Sequence, residues 1–304
     1  MNLPVKRRSF IKTVGAFTLG TVASRGLCTA DALKKQIIEV SQFHMNMLVG
    51  LTIYIDDPEK GYRLCRNAFE RIRHYTGVFS CFDRKSELSR LSARAGAGPI
   101  KVSDELFEIL STAKTMAIQS DGAFDPTAGT LTRLWRTARR WGIPPATEDI
   151  KRASQQCGHQ FMVLNEDNKT IDLHHPGMTL DLGGIAKGYI GDLTLQYFHQ
   201  NRVYCAAYIA GGDIVAGDSP PGSKGWAIDV PDHKQPLFIN NQAISISGDT
   251  HQFLTYRGQR YSHVLDPCSG QALVNSRPAC NIAPTGLVAD AQATLQSINN
   301  HSFP

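Results

Sequence analysis

The stretch DLGGIAKGY, residues 181–189, is the most informative part of the sequence. Its two adjacent glycines allow another group to approach the backbone closely. A helix is predicted to begin after Gly184, and the first N–H groups of such a helix could hold a phosphate, with Lys187 adding a positive charge. Taken alone, the stretch is more typical of a turn followed by a helix with a solvated lysine.

Three further regions combine glycine, acidic and small residues at expected junctions between elements. They are DGAFDPT at 121–127, SGD at 247–249 with YSHVLDP at 261–267, and ADAQAT at 289–294. If the last region is helical, Asp290 and Thr294 lie four residues apart on one face. A carboxylate and a hydroxyl are hard oxygen ligands that suit Mg²⁺ or Ca²⁺. Taken singly, each region is more often a turn or a helix cap.

The hydrophobic pattern around these regions predicts an α+β fold. A strand is predicted at 47–55, a helix after Pro58, further helices near 86 and after 103 and 184, and a hairpin at 161–173. Strand-like runs follow at 204–209, 226–230, 243–247 and 261–265. Helices concentrated early and strands concentrated late favour α+β over a regular alternation of strand and helix. The sequence contains neither a GxxxxGK[ST] phosphate loop nor a GxGxxG turn after a strand, so any nucleotide site is built differently.

Composition and charge narrow the class of protein. The 304 residues are 42% hydrophobic and 19% charged, as in ordinary globular proteins. No apolar run approaches the roughly 20 residues that a membrane-spanning helix needs. The net charge of +5 arises entirely from residues 1–30, which hold five basic residues and no acid, and the remainder carries 27 residues of each sign. Charge-driven binding of nucleic acid is therefore not expected.

The first 30 residues have the order of an export signal. The basic run KRRSFIK at 6–12 precedes a mildly apolar stretch at 14–23 and small residues around Ala30. The adjacent arginines resemble a twin-arginine signal, which predicts a soluble periplasmic product cleaved near Ala30. Lipid anchoring at Cys28 is not expected, because Leu27 is too large for a good lipoprotein cleavage site. A basic N-terminal helix of a cytosolic protein is the alternative.

Seven motifs follow one another along the chain: FSCFD with SELSRL from 79, DGAFDPT from 121, DLGGIAKGY from 181, GGDI from 211, SGD from 247, HVLDPCSG from 263 and ADAQAT from 289. In this order they resemble the motifs of the ApbE family, the Mg²⁺-dependent FAD:protein FMN transferases. The resemblance covers roughly residues 45–295. It divides the chain into a signal at 1–30, a lead at 31–44, the ApbE-like domain at 45–295 and a tail at 296–304.

The resemblance implies a compact α+β fold, related to the T-fold, in which FAD lies between two closely packed halves. It implies a divalent ion, Mg²⁺ or else Ca²⁺ or Mn²⁺, held by the backbone oxygen of Gly184 and by Asp290 and Thr294, facing the pyrophosphate. The residues implied to contact FAD are Phe82, Ala123, Phe124, Asp125, Asp181, Lys187 and Val264.

The implied reaction transfers FMN from FAD to a Thr or Ser hydroxyl and releases AMP. The acceptor would be an exported flavoprotein subunit carrying an Asp-x-x-(Ser/Thr)-Gly-Ala-(Ser/Thr) segment. His263 is the candidate proton acceptor, because histidine readily exchanges a proton near neutral pH.

Two alternatives to protein flavinylation stay open at this stage. Water could replace the hydroxyl as nucleophile, which would make the chain an FAD pyrophosphatase that yields FMN and AMP. A non-catalytic FAD-binding maturation factor for a respiratory complex is the other. It is suggested by the end of the sequence ten residues after Thr294, where the family commonly continues, so we expect the helix bearing Asp290 to be weakly supported.

Overall fold

The computed structural model of the protein describes residues 35–230, 234–248, 252–274 and 278–299. The predicted export signal with Cys28, residue Asp249 and residues 300–304 of the predicted tail lie outside these ranges.

The described residues form helices and antiparallel sheets that are largely separate along the chain, which confirms the predicted α+β class. The helices are α1 (Pro58–Phe79), α2 (Glu87–Ala93), α3 (Asp104–Gln119), α4 (Gly129–Trp141), α5 (Thr147–Ser154), α6 (Ala186–Gln200) and α7 (Gly286–Asn299). The strands are β1 (Gln36–His44), β2 (Met47–Ile55), β3 (Ile100–Lys101), β4 (Met162–Asn165), β5 (Thr170–Leu173), β6 (Ala206–Ala210), β7 (Asp213–Ala216), β8 (Trp226–Ile228), β9 (Leu237–Ile239), β10 (Gln242–Ser247), β11 (Phe253–Tyr256), β12 (Gln259–Leu265), β13 (Ala272–Val274) and β14 (Ala279–Ala283).

A six-stranded antiparallel sheet in the order β1-β2-β6-β7-β10-β14 is the centre of the fold. Alternate residues of β2 point to opposite faces, as strand geometry requires. On one face Leu51 and Ile53 belong to the main hydrophobic core with Ile72 of α1. On the other face Tyr54 meets Trp226 of the β8–β9 hairpin edge to face, with ring centroids 6.0 Å apart. Both faces of the sheet are therefore covered.

Helix α1 forms where the sequence predicts it. Asp57 accepts a hydrogen bond from the Lys60 N–H at 3.0 Å, and Pro58 occupies the first turn, where its missing N–H costs nothing. The apolar residues that the sequence places at helical spacing are all buried: Leu64, Ala68, Phe69, Ile72 and Tyr75. The predicted hairpin at 161–173 is also confirmed, as β4 paired with β5.

Several elements are absent from the sequence-based prediction. The segment 31–44, predicted as a lead, contains β1, which pairs with β2 along its whole length. Helices α4 and α5 were not predicted. The expectation that α7 is weakly supported is wrong, because Ser297 and Ile298 are buried and the helix packs against α6, β10 and β14. Among the residues that the structure describes, no helix is both long enough and apolar enough to span a membrane.

Helices α6 and α7 touch through two glycines and cap each other. A Cβ atom on Gly188 would overlap the carbonyl oxygen of Gly286, and a Cβ on Gly286 would overlap that of Gly188. Asp192 of α6 accepts hydrogen bonds from Gly286 N–H at 2.7 Å and Leu287 N–H at 2.8 Å. In return, Asp290 of α7 accepts one from Gly188 N–H at 3.2 Å. Because these N–H groups lack partners within their helices, each carboxylate satisfies its neighbour's first turn.

This contact predicts that Gly188→Ala destabilises the protein. The added methyl group forces the two helix backbones apart, so we expect a loss of at least about 2 kcal/mol in the free energy of unfolding. Urea denaturation followed by circular dichroism, with EDTA present, measures it. Gly77→Ala is the matched control. Gly77 also lies in a helix but, unlike the buried Gly188, it is exposed with open space around it. Alanine there should raise the free energy of unfolding by about 0.5–1 kcal/mol. Equal effects of the two substitutions would contradict the prediction.

Candidate functional site

The α6–α7 contact brings the predicted metal ligands together. Gly184 lies just before α6, whereas Asp290 and Thr294 lie one turn apart on α7. A Cβ atom on Gly184 would lie 2.9 Å from Thr294 Oγ1 and 3.4 Å from the Phe124 ring. Three regions that are distant in sequence, around 124, 184 and 294, therefore meet at one point. Glycine at position 184 leaves room there that any side chain would fill.

A buried cluster of charges lies beside this point. Lys187 Nζ is 3.1 Å from each carboxylate oxygen of Asp290 and 3.2 Å from Asp213 Oδ2. The same ammonium donates to the Gly183 carbonyl oxygen at 3.1 Å. The Asp213 and Asp290 side chains are only 5% exposed. Two carboxylates share one ammonium, so the cluster carries one excess negative charge when both acids are ionised.

The electrostatics of the cluster follow from this imbalance. Burial, together with the negative charge of Asp213, raises the pKa of Asp290 to about 7, although Lys187 and the Gly188 N–H oppose the rise. For Lys187, burial lowers the pKa, but Asp213 and Asp290 outweigh it and raise the pKa above its ordinary value. The ammonium therefore stays charged, and the site favours a further positive charge.

The donor set of the site fits a hard divalent cation. Carboxylate, hydroxyl and peptide carbonyl oxygens are the ligands that Mg²⁺ prefers, and the excess negative charge adds to the attraction. Among the residues that the structure describes, no three His, Cys, Asp or Glu side chains gather into a metal-binding group. A cation here would therefore use neutral oxygens of the protein together with the Asp290 carboxylate, and oxygens of a bound substrate could complete its coordination.

The predicted flavin contacts Phe82 and Asp181 are linked through a residue of α4. The Phe82 side chain is 65% exposed, and the Arg136 guanidinium lies over its ring, 4.0 Å from the centroid. Arg136 also forms an ion pair with Asp181 Oδ2 at 3.2 Å. Thr132 donates to the same oxygen at 2.7 Å, and Gly183 N–H donates to Asp181 Oδ1 at 2.8 Å. The orientation of the Asp181 carboxylate is therefore fixed by these three hydrogen-bond donors.

Asp125, another predicted flavin contact, fixes a loop. Its Oδ1 accepts from both the N–H and the hydroxyl of Thr127, and its Oδ2 accepts from His159 N–H at 3.0 Å. The Thr127 hydroxyl in turn accepts from Gly158 N–H at 2.7 Å. These bonds attach the segment around Phe124 to the start of the β4–β5 hairpin.

The predicted residues Ala123 and Val264 lie towards the other end of α7, and His263 directly precedes Val264 on β12. Ala123 and Val264 belong to a small apolar cluster with Leu273 and Ile298. His263 is half-buried on β12, a strand that packs against α7, and its backbone N–H donates to the Gln252 carbonyl at 3.1 Å. The structure thus places His263 on an element that contacts the helix bearing Asp290.

Sequence analysis missed several residues that shape this site. Thr132 and Arg136 lie four residues apart on α4, and the apolar residues Leu131, Trp135 and Ala138 on that helix, with Gly142 in a left-handed cap, were a signal for it. Asp213 lies within the quoted GGDI motif but received no role. Ser245, which donates to Asp213 Oδ1, is buried on β10 and carries no recognisable sequence signal.

Comparison with known proteins identifies the family. The model of the ApbE family matches residues 45–301. The FAD:protein FMN transferase of Klebsiella pneumoniae (strain 342) is 30% identical over 82% of this chain and 79% of its own length. That of Chlamydia muridarum is 32% identical over 76% and 72%. The crystal structure of the ApbE protein of Thermotoga maritima superposes with a TM-score of 0.77 at 26% identity, covering 86% of this chain and 87% of that one.

The order of the motifs, the α+β fold and these likenesses agree, and the chain belongs to the ApbE family.

Proposed function

We propose that this chain is a transferase that moves FMN from FAD to a Thr or Ser hydroxyl of a protein and releases AMP. The names of the relatives, FAD:protein FMN transferases, support the activity. The observation that carries the proposal is the meeting of Gly184, Thr294 and Phe124 beside a buried cluster with excess negative charge. That arrangement offers oxygen donors for a cation next to an aromatic side chain, as a flavin dinucleotide would require.

The residues that would hold a Mg²⁺ ion are Asp290, Thr294 and the carbonyl of Gly184. When bound, such an ion neutralises charge on the oxygens of a pyrophosphate and so favours cleavage of the P–O–P bridge. The chain's own contribution is to keep these three oxygens together through the α6–α7 contact. Both Asp290 oxygens accept from Lys187, and Oδ2 also accepts from the Gly188 N–H, so movement of the ammonium away from Asp290 would leave the carboxylate more available to a cation.

The proposed chemical step is a displacement at the FMN phosphorus. The acceptor hydroxyl oxygen forms the new P–O bond, and the bond from that phosphorus to the bridging oxygen breaks, so that AMP leaves with the bridging oxygen. The hydroxyl proton passes to His263 in this proposal. Phe82, braced by Arg136, leaves much of its surface exposed and available to stack on a planar ring of the dinucleotide.

The acceptor that we propose is an exported flavoprotein subunit with an Asp-x-x-(Ser/Thr)-Gly-Ala-(Ser/Thr) segment. Support comes from the basic and apolar order of residues 1–30, which is typical of export through the twin-arginine route. Enzyme and acceptor would then meet in the periplasm.

The first test incubates the protein with FAD, Mg²⁺ and an acceptor that carries an Asp-x-x-Thr-Gly-Ala-Thr segment. We expect the acceptor to become fluorescent and to gain the mass of one FMN, with an equal amount of AMP released. An acceptor in which both Thr residues of the segment are replaced by Val is the control and should stay unlabelled. Free FMN and AMP without labelling would instead indicate a pyrophosphatase, and intact bound FAD a maturation factor.

The metal assignment predicts that Asp290→Asn abolishes Mg²⁺-dependent turnover. Asparagine keeps an oxygen that can accept the Gly188 N–H, so the helix pair should persist while the charged ligand is lost. We expect the transfer rate to fall at least a hundredfold, measured by acceptor fluorescence over a range of Mg²⁺ concentrations. Gln292→Ala, on the exposed face of the same helix, should retain the normal rate. Normal Mg²⁺ dependence in Asp290→Asn would refute the assignment.

The proton-transfer role predicts that His263→Ala loses transfer but keeps FAD binding. General base catalysis contributes about a hundredfold to ten-thousandfold, so the rate should fall within that range. Quenching of flavin fluorescence measures the affinity for FAD, and gel-based fluorescence of the acceptor measures the rate. If the variant labels its acceptor at the normal rate, His263 has a structural role only.

A further inference from the structure

The GGDI motif at 211–214 places one acidic residue, Asp213, in the cluster with Lys187 and Asp290. Its Oδ2 lies 3.2 Å from Lys187 Nζ, and its Oδ1 accepts from the Ser245 hydroxyl. Asp213 is buried. A buried carboxylate is costly unless it is paired, so its presence at the start of β7 calls for a physical reason.

Lys187 is shared between two acids at nearly equal distances. The ammonium lies 3.1 Å from Asp290 Oδ2 and 3.2 Å from Asp213 Oδ2. A small movement of the half-buried Lys187 side chain towards Asp213 would free Asp290 while the ammonium kept a carboxylate partner. With no carboxylate at position 213, release of Asp290 would leave the ammonium with the neutral Gly183 carbonyl and no counter-charge, which is unfavourable.

We propose that Asp213 is the alternative counter-ion of Lys187, which releases Asp290 to bind a divalent cation. Asp213 is thus a positioning residue that acts through Lys187 and touches neither the cation nor the substrate. The inference rests on the proposed function, because it assumes that Asp290 ligates a cation. It explains why the cluster holds two carboxylates for one ammonium.

The test measures binding of Mn²⁺ to the purified protein, with neither FAD nor acceptor present, through the electron paramagnetic resonance signal of the free ion. We expect Asp213→Asn to raise the Mn²⁺ dissociation constant at least tenfold. Asparagine can still accept from the Ser245 hydroxyl, so the fold should persist, and thermal unfolding in EDTA checks it. Asp218→Asn is the control, because it removes a carboxylate that follows the same strand, β7, and that accepts a hydrogen bond from Asn241 instead of pairing with Lys187. Its dissociation constant should change less than threefold.

A double-mutant cycle separates action through Lys187 from a direct attraction between Asp213 and the ion. In a Lys187→Met background no ammonium competes for Asp290, so adding Asp213→Asn should change Mn²⁺ affinity threefold or less. The same tenfold loss in both backgrounds would overturn the inference, as would unchanged affinity of Asp213→Asn or no Mn²⁺ binding by the wild-type protein. Failure of the proposed function appears separately, as an acceptor that is never labelled.

Discussion

The close contact between the first turns of α6 and α7 is the constraint on which the site depends. Gly188 and Gly286 have no side chains, so their helices meet backbone against backbone. Only at this separation can Asp192 reach the N–H groups of α7 and Asp290 reach the N–H of Gly188. The same separation sets Thr294 against Gly184. Packing, helix capping and the position of the candidate ligands are therefore consequences of one contact.

The charges at this contact do not maximise the stability of the free protein. A buried ion pair is often no more stable than well-packed apolar residues, and an excess carboxylate makes it less favourable still. The cluster of Lys187, Asp213 and Asp290 has such an excess. Burial and Asp213 raise the pKa of Asp290 because its ionised form has too little positive charge nearby. A bound cation would relieve this imbalance, so stability given up in the free protein becomes affinity for the ion.

The sequence predicted the fold class and the convergence of the motifs better than it predicted local roles. Helix α1 and the β4–β5 hairpin follow from periodicity and turn residues within a few positions. Strand β1 was missed because it is an edge strand with several exposed residues, so that alternation of apolar and polar residues is weak. Asp181 shows the limit for the site: its motif is recognisable, but its partners Thr132 and Arg136 come from α4, about 50 residues earlier. Tertiary contacts of this kind leave no local pattern.

The motifs therefore differ in physical function although they are equally visible in the sequence. DLGGIAKGY contributes a carbonyl at Gly184 and an ammonium at Lys187, and GGDI contributes only the carboxylate that pairs with that ammonium. Strand β7 begins at Asp213 and pairs with β10, which contributes Ser245, so the sheet fixes the carboxylate while Lys187 stays on a flexible side chain. Asp213 on the sheet and Asp290 on α7 are thus two alternative partners for the Lys187 ammonium. In our proposal the ammonium moves from Asp290 towards Asp213 by rotation of the lysine side chain, without any movement of the backbone.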